Sequence, residues 1–133
     1  MLRQDPDVIM VGEVRDVETA ILIYPPGGDV IGRRRLDTHF YGLRSLGAEI
    51  SIDQAYRFKA GPLTPWKMVF DEASVTATEN TLMAATLAAG TSTIYNAACE
   101  PHVQDLAHLL VKMGAEISGI GTNLLRIQGQ QAL

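Results

Sequence analysis

The chain of 133 residues has little of what defines several protein classes. Its single cysteine, Cys99, excludes an internal disulfide and is compatible with a reducing compartment. No apolar run approaches the roughly 20 residues that a membrane-spanning helix needs, and the first residues do not have the form of a signal peptide. We therefore expect a cytoplasmic protein that does not bind a membrane.

Positive charge is also scarce. The chain has 11 Lys and Arg but 15 Asp and Glu, which gives a net charge of -4 at pH 7 and a pI of about 5.2. A general nucleic-acid surface needs a basic face, so nucleic acid is not an expected partner. The chain has no Gly-Lys pair, and therefore no Gly-x-x-x-x-Gly-Lys-Ser/Thr loop to hold nucleotide phosphates. We predict no cofactor and no metal site.

What is present is the composition of a globular protein, with 47% hydrophobic and 20% charged residues. Three segments have helical periodicity: residues 35–46, residues 77–89 and the segment after Pro101. The second follows a capping box formed by Thr76 and Glu79. The inner face of the third is predicted to contain Val103, Leu106, Leu110 and Met113. Short strands are predicted at residues 8–11, 48–53, 55–60, 67–70, 92–95, 115–118 and 124–128, with a turn around residue 54.

An internal repeat organises these elements. Residues 46–51 (Leu-Gly-Ala-Glu-Ile-Ser) recur as residues 113–118 (Met-Gly-Ala-Glu-Ile-Ser), each time after a predicted helix and before a second strand. The repeat predicts an α/β (α+β) fold of helix-strand-strand units, in which a mixed sheet is covered by helices. Residues 8–11 would supply an additional strand.

Residues 26–39 combine a Gly-rich turn, a run of positive charge and the start of a helix. Gly27 and Gly28 allow close approach to the backbone, and Arg33, Arg34 and Arg35 follow directly. This pattern favours an anion site, with phosphate near Arg34 and the Gly27-Gly28 loop. The alternative is a Pro-Gly turn followed by three solvated arginines.

The N-terminal residues show a separate resemblance. Residues 2–7 (Leu-Arg-Gln-Asp-Pro-Asp) and 12–16 (Gly-Glu-Val-Arg-Asp) are similar to the Walker B segment of the traffic ATPases of type II secretion and type IV pili. The resemblance implies that Glu13 would help to activate an attacking water. Because the phosphate-binding loop is missing, we interpret residues 1–20 as a strand and turn, and a traffic ATPase fragment is the alternative interpretation.

Residues 26–129 resemble the enolpyruvyl transferases, in particular those that act on UDP-N-acetylglucosamine. The resemblance lies in residues 26–34 (Pro-Gly-Gly-Asp-Val-Ile-Gly-Arg-Arg), 37–39 (Asp-Thr-His), 70–76 (Phe-Asp-Glu-Ala-Ser-Val-Thr) and 96–101 (Asn-Ala-Ala-Cys-Glu-Pro). It implies transfer of enolpyruvate from phosphoenolpyruvate to the 3-hydroxyl of the UDP-sugar, in peptidoglycan synthesis. It also implies two domains of repeated βαβαββ-type units that close over the substrates.

The resemblance assigns roles to individual residues. Asp29 stands where most members have a cysteine that is thought to act as general acid, and Arg34 matches the arginine that contacts the phosphate of phosphoenolpyruvate. The segment around the uracil ring corresponds to Arg35, Leu36, Asp37 and Thr38. The segment around the diphosphate corresponds to Glu72, Ser74, Val75 and Thr76, with Glu72 replacing the lysine of some members.

Intact members of that family are roughly three times as long as this chain, and the missing part supplies the opposite side of the active site. We therefore predict an N-terminal strand segment, residues 1–25, fused to an enolpyruvyl transferase fragment, residues 26–133. Two hypotheses remain: a half-site that binds UDP-sugar or phosphate weakly without turnover, and a structural fusion without a ligand. Unpaired strand edges and uncovered helices also predict a homodimer.

Overall fold

A computed structural model of the chain describes residues 19–23, 36–52 and 56–130. These residues form seven strands and three helices, in the order β1 (Thr19–Ile23), α1 (Asp37–Ser45), β2 (Glu49–Ile52), β3 (Tyr56–Ala60), β4 (Lys67–Val69), α2 (Val75–Ala85), β5 (Gly90–Tyr95), α3 (Pro101–Lys112), β6 (Glu116–Ser118) and β7 (Leu124–Gly129). The predicted strand at residues 8–11 and the turn around residue 54 lie outside the described residues.

The strands form two sheets. The first sheet is antiparallel, in the order β1-β3-β2, and the second sheet has the order β4-β5-β7-β6. The second sheet is mixed, because β4 and β5 are parallel while the β5-β7 and β7-β6 pairs are antiparallel. The predicted α/β class with a mixed sheet is confirmed. The strands nevertheless divide between two sheets. Pro62 and Pro65 lie in the segment that connects them, and neither has an N–H group that could continue the β3 ladder.

The first repeat closes its helix with a glycine. Gly47 follows α1 with a φ of 98°, a conformation that a side chain disfavours. Its N–H donates to the carbonyl of Arg44 at 2.9 Å, and the N–H of Ala48 donates to the carbonyl of Leu43 at 3.0 Å. These two bonds satisfy carbonyl groups at the helix end and turn the chain into β2.

The second repeat ends its helix in the same way. The corresponding residues lie 67 positions later in the sequence, so that Gly114 takes the place of Gly47. Gly114 has a φ of 114°, and its N–H donates to the carbonyl of Val111 at 3.0 Å. The N–H of Ala115 donates to the carbonyl of Leu110 at 2.9 Å. The structure therefore confirms that residues 113–118 repeat the local structure of residues 46–51.

The core lies between the helices and the second sheet. β7 alternates, so that Leu125 and Ile127 are buried while the residues between them are exposed. These two side chains belong to one cluster with residues from β4, β5, α2 and α3 and with the end of α1, including Leu46, Met68, Leu82, Ile94 and Leu110. This cluster holds α1 and α2 in fixed positions relative to the second sheet.

Two sequence predictions about the helices are wrong. The capping residue of α2 is Ser74 rather than Thr76, because the Ser74 side chain accepts from the N–H of Ala77, and the helix already begins at Val75. In α3, Met113 is exposed rather than on the inner face, and Ala107 is buried there with Val103 and Leu110.

β1 lies on the N-terminal side of the boundary predicted near residue 25, and it pairs with β3 from Thr19 opposite Ala60 to Ile23 opposite Tyr56. The two predicted segments therefore share one sheet.

Candidate functional site

The predicted site residues divide into two groups. Asp29, Arg34 and Arg35 lie outside the described residues, as does the Gly27-Gly28 loop. The other seven lie at two helix starts: Leu36, Asp37 and Thr38 at the start of α1, and Glu72, Ser74, Val75 and Thr76 at the start of α2. The structure brings these two starts into contact.

Thr38 connects the two helix starts. Its side chain is buried, and its hydroxyl lies 2.9 Å from Oδ1 of Asp71 and 3.2 Å from Oε1 of Glu72. A threonine hydroxyl has one proton, so the two carboxylates share a single donor. The predicted uracil segment and the predicted diphosphate segment are therefore joined through one buried side chain.

The start of α2 is held by Ser74 and Thr78. The hydroxyl of Ser74 accepts from the N–H of Ala77 at 3.4 Å, and the hydroxyl of Thr78 donates to the Ser74 carbonyl at 2.7 Å. The same Thr78 hydroxyl accepts from the N–H of Ala98 at 3.0 Å. Val75 and Thr76 occupy the first turn, where N–H groups have no partner inside the helix and favour an anion.

His39, which follows Thr38, forms a second bridge to α2. Its Nδ1 lies 3.1 Å from Nδ2 of Asn80, and its Nε2 lies 3.2 Å from the hydroxyl of Thr76. An amide NH₂ can only donate, so we assign a neutral ring that accepts at Nδ1 and donates from Nε2. Burial lowers the pKa of His39 below its ordinary value of 6.5, and the nearby charge of Glu72 partly opposes that effect. The neutral form fits both contacts.

A cleft of about 750 Å³ runs beside this site along α1. Its lining is aromatic, hydroxyl-bearing and charged, and it includes Asp37, Phe40, Tyr41, Arg44, Thr64 and Trp66. Trp66 is 55% exposed, and the ring of Tyr41 packs edge-on against Phe70 with centroids 6.4 Å apart. Asp37 also lines an adjoining hollow of about 370 Å³ with Tyr41, Val69 and Asp71. The start of α1 thus opens onto a surface with room for a planar ring.

Sequence reasoning gave no role to His39, Asp71 or Asn80. His39 and Asp71 lie inside the motifs at residues 37–39 and 70–76, and this location could have marked them as candidate site residues. Asn80 carries no local signal, since its partner lies 41 positions earlier. Trp66 and Tyr41 are also unmarked in the sequence, although both line the same cleft in the folded chain.

Over the part of the chain that the structure describes, no group of three or more His, Cys, Asp or Glu side chains could hold a metal ion. Across the same residues, no helix is long and apolar enough to cross a membrane.

Comparison with known families gives one match over most of the chain. The sequence model described as EPSP synthase (3-phosphoshikimate 1-carboxyvinyltransferase) matches residues 9–133. Among curated proteins, UDP-N-acetylglucosamine 1-carboxyvinyltransferase of Treponema pallidum is 62% identical over 109 residues, which cover 82% of this chain and 26% of that protein. The enzyme of the same name from Bacteroides thetaiotaomicron is 53% identical over 129 residues, covering 95% of this chain and 30% of that protein.

Solved structures agree on the fold. The enolpyruvyl transferase NikO from Streptomyces tendae superposes with a TM-score of 0.66 at 17% identity, over 87% of this chain and 27% of that one. EPSP synthase from Acinetobacter baumannii superposes with a TM-score of 0.63 at 18% identity, over 86% of this chain and 26% of that one. The chain thus spans between a quarter and a third of the length of these relatives.

Proposed function

Because this chain belongs to the EPSP synthase family of enolpyruvyl transferases, we propose that it carries one side of a UDP-N-acetylglucosamine site. The identity of 62% with the Treponema pallidum enzyme supports this choice of substrate within the family. In this proposal the uracil ring lies against residues 35–38, and the diphosphate lies at the start of α2.

The observation that carries the proposal is the pair of hydrogen bonds from Thr38 to Asp71 and Glu72, at 2.9 Å and 3.2 Å. These bonds connect two segments more than 30 positions apart, each of which resembles a segment around the same nucleotide sugar. A ligand that spans both segments needs them side by side, and this contact supplies that arrangement.

The first turn of α2 has the chemistry for a diphosphate. The N–H groups of Val75 and Thr76 lie at the positive end of the helix, and the Thr76 hydroxyl is a further donor on an exposed side chain. The carboxylates of Asp71 and Glu72 lie directly before this turn and repel a diphosphate. We therefore propose weak binding, to which Arg34 and Arg35 contribute positive charge.

We also propose that the chain does not transfer enolpyruvate by itself. It spans 26% of the Treponema pallidum enzyme, and catalysis of this kind needs donors placed on both sides of the reacting atoms. Asp29 is the proposed general acid, and we propose that the groups opposing it belong to a part of the relatives that this chain does not match.

Chemical-shift mapping during titration with UDP-N-acetylglucosamine tests the binding proposal. We expect shifts at residues 36–38 and 72–76, similar shifts with UDP, and none with N-acetylglucosamine, which lacks the diphosphate and the uracil. If UDP-N-acetylglucosamine up to millimolar concentration causes no chemical-shift changes, the alternative is favoured, which is a structural fusion protein without a ligand. Phosphate release from phosphoenolpyruvate in the presence of the UDP-sugar measures turnover separately, and we expect none.

Three further parts of the hypothesis stay predictions. They are the homodimer, the cytoplasmic location, and the fusion near residue 25 of a traffic-ATPase-like segment to the enolpyruvyl transferase fragment.

A further inference from the structure

The ring of His39 lies between two residues of α2 that are one helical turn apart. Its Nε2 is 3.2 Å from the hydroxyl of Thr76, and its Nδ1 is 3.1 Å from the amide nitrogen of Asn80. Residues four positions apart lie on the same face of a helix, so one flat ring can contact both. The ring is half-buried, whereas Thr76 and Asn80 are exposed. Both ring nitrogens therefore have a partner on α2.

The amide of Asn80 decides which ring nitrogen carries the proton. Its NH₂ group can only donate, so Nδ1 accepts and the neutral ring has its one proton on Nε2. Nε2 then donates to the Thr76 oxygen. If the amide presented its oxygen instead, Nδ1 would carry the proton, and Nε2 would accept the proton of Thr76. The two arrangements differ in whether the Thr76 proton is used inside the protein.

In the arrangement of this structure, the hydroxyl proton of Thr76 is available to a ligand. Among the described residues, the His39 ring is the hydrogen-bond partner of this hydroxyl. An oxygen that accepts from the ring directs its own O–H away from the ring. Thr76 belongs to the first turn of α2, so this donor lies beside N–H groups that have no partner inside the helix.

We propose that His39 and Asn80 are positioning residues, which hold the Thr76 hydroxyl as a hydrogen-bond donor to a nucleotide diphosphate at the start of α2. This inference rests on the proposed nucleotide-sugar site and adds two residues that act on the ligand through Thr76. Asn80 lies about 6 Å along the helix from Thr76, at the usual rise per residue. Its influence on the diphosphate therefore passes through the His39 ring.

The position of the ring proton is measured in the free protein, without a ligand. Proton–nitrogen correlation spectra distinguish a protonated ring nitrogen from an unprotonated one, and His39→Gln assigns the signals. At about pH 8.5 the ring is neutral, because burial lowers its pKa. We expect the proton on Nε2 in the original chain and on Nδ1 in Asn80→Asp, whose carboxylate can only accept. A proton on Nδ1 in the original chain overturns the proposal, as does an unchanged position in Asn80→Asp.

Titration with UDP at the same pH, followed by chemical shifts, measures the effect on the ligand. Thr76→Val keeps the shape of the side chain and removes the hydroxyl. We expect its dissociation constant for UDP to rise about tenfold or more, as for the loss of a hydrogen bond to a charged group. Thr76→Ser keeps the hydroxyl and should bind more tightly than Thr76→Val. The control Thr91→Val removes an exposed hydroxyl that bonds to Gln128 on the second sheet, and it should bind like the original chain.

A double-mutant cycle shows whether Asn80 acts through Thr76. Asn80→Asp should raise the dissociation constant about tenfold in the original chain, because the Thr76 proton turns to the ring. In Thr76→Val the same change should raise it only about twofold, through the repulsion of an added exposed charge. Both side chains are exposed, so the variants should remain folded, and circular dichroism melts check this.

The outcomes separate this inference from the nucleotide site on which it rests. Equal effects of Asn80→Asp in the two backgrounds, or unchanged UDP binding by Thr76→Val, overturn the inference and leave the site in place. If the original chain does not bind UDP, the proposed site is wrong and the inference falls with it. A contact of His39 that only ties α1 to α2 predicts lower melting temperatures in the variants, without coupling between Asn80 and Thr76 in UDP binding.

Discussion

Gly42 of α1 faces Thr81 of α2 with no space for a side chain between them. A Cβ at position 42 would collide with the Thr81 hydroxyl oxygen, and the Thr81 methyl group would lie 3.1 Å away. That hydroxyl is buried without a hydrogen-bond partner in the described structure. The close approach of α1 to α2, on which the candidate site depends, is therefore set by the absence of a side chain at position 42.

Gly42→Ala should destabilise the protein by about 1 to 3 kcal/mol, because overpacking outweighs the gain in helix propensity of up to about 1 kcal/mol. Urea denaturation measures the free energy of unfolding. Gly61→Ala is the control, because a Cβ there would meet nothing within 4 Å. Thr81→Ala removes the colliding hydroxyl, so the double variant Gly42→Ala/Thr81→Ala should recover much of the loss. Additive losses would contradict the interpretation of this contact.

Thr38→Val keeps the shape of the side chain and removes its hydroxyl. The carboxylates of Asp71 and Glu72 lose a buried donor, so we expect a loss of about 1 to 3 kcal/mol in the free energy of unfolding. Thr91→Val is a matched control, because its hydroxyl makes an exposed hydrogen bond of 2.6 Å to Gln128. Equal effects of the two substitutions would show that the Thr38 bridge does not contribute more than an exposed bond.

His39 makes stability depend on pH. Burial holds its pKa in the folded protein below 6.5, so the unfolded chain binds a proton first as the pH falls. The contribution of the neutral His39 ring to the free energy of unfolding is therefore fully present above pH 6.5. It is lost as the pH falls through the pKa of His39 in the folded protein. The melting temperature should therefore fall less between pH 7.5 and about 5 in His39→Gln than in the original chain. His108→Gln, which changes an exposed histidine, should leave that dependence unchanged.

Glu72→Gln should strengthen the binding of UDP-N-acetylglucosamine. It removes a negative charge two positions before Ser74 and keeps an oxygen that can accept from Thr38. We expect a dissociation constant lower by about threefold to tenfold at low salt, and a smaller change at high salt because exposed charges are screened. Glu79→Gln, in the second turn of α2, should change the constant less, and calorimetry compares the two. A weaker complex with Glu72→Gln would mean that the carboxylate contacts the ligand.

Arg34→Ala should weaken the binding of phosphate or UDP-sugar by about 1.5 to 3 kcal/mol, the range for a hydrogen bond to a charged group. Arg126→Ala is the control, because that exposed arginine lies on β7 and not at the start of α1 or α2. Equal dissociation constants for Arg34→Ala and the original chain would show that residues 26–39 form a turn with solvated arginines.

The features that the sequence predicted correctly are those with a local cause. Gly47 and Gly114 stop their helices because each adopts a positive φ, and the periodicity before each glycine is visible in the sequence. The sequence pattern predicts the start of α2 two residues too late. Ser74 and Thr76 both carry a hydroxyl that could accept from the N–H group three positions later, and the structure uses Ser74. Local pattern alone does not choose between them.

The features that sequence reasoning missed depend on contacts between distant residues. Leu46 and Met113 occupy the same place in the same repeat, yet one is buried and the other exposed, because among the described residues only Leu46 packs into the core cluster. The contact of Thr38 with Asp71 and Glu72, and that of His39 with Asn80, join positions 33 to 41 residues apart. No period or spacing in the sequence predicts these pairs.

The hydroxyl of Thr78 has a practical consequence for spectroscopy. It links the Ser74 carbonyl at the start of α2 to the N–H of Ala98, and the next residue is Cys99, the only cysteine of the chain. The thiol is exposed, so a single fluorophore or spin label can be attached there without competing positions. Because two hydrogen bonds separate the label's backbone from the α2 cap, a shift of that helix start on binding an anion would change the environment of the label.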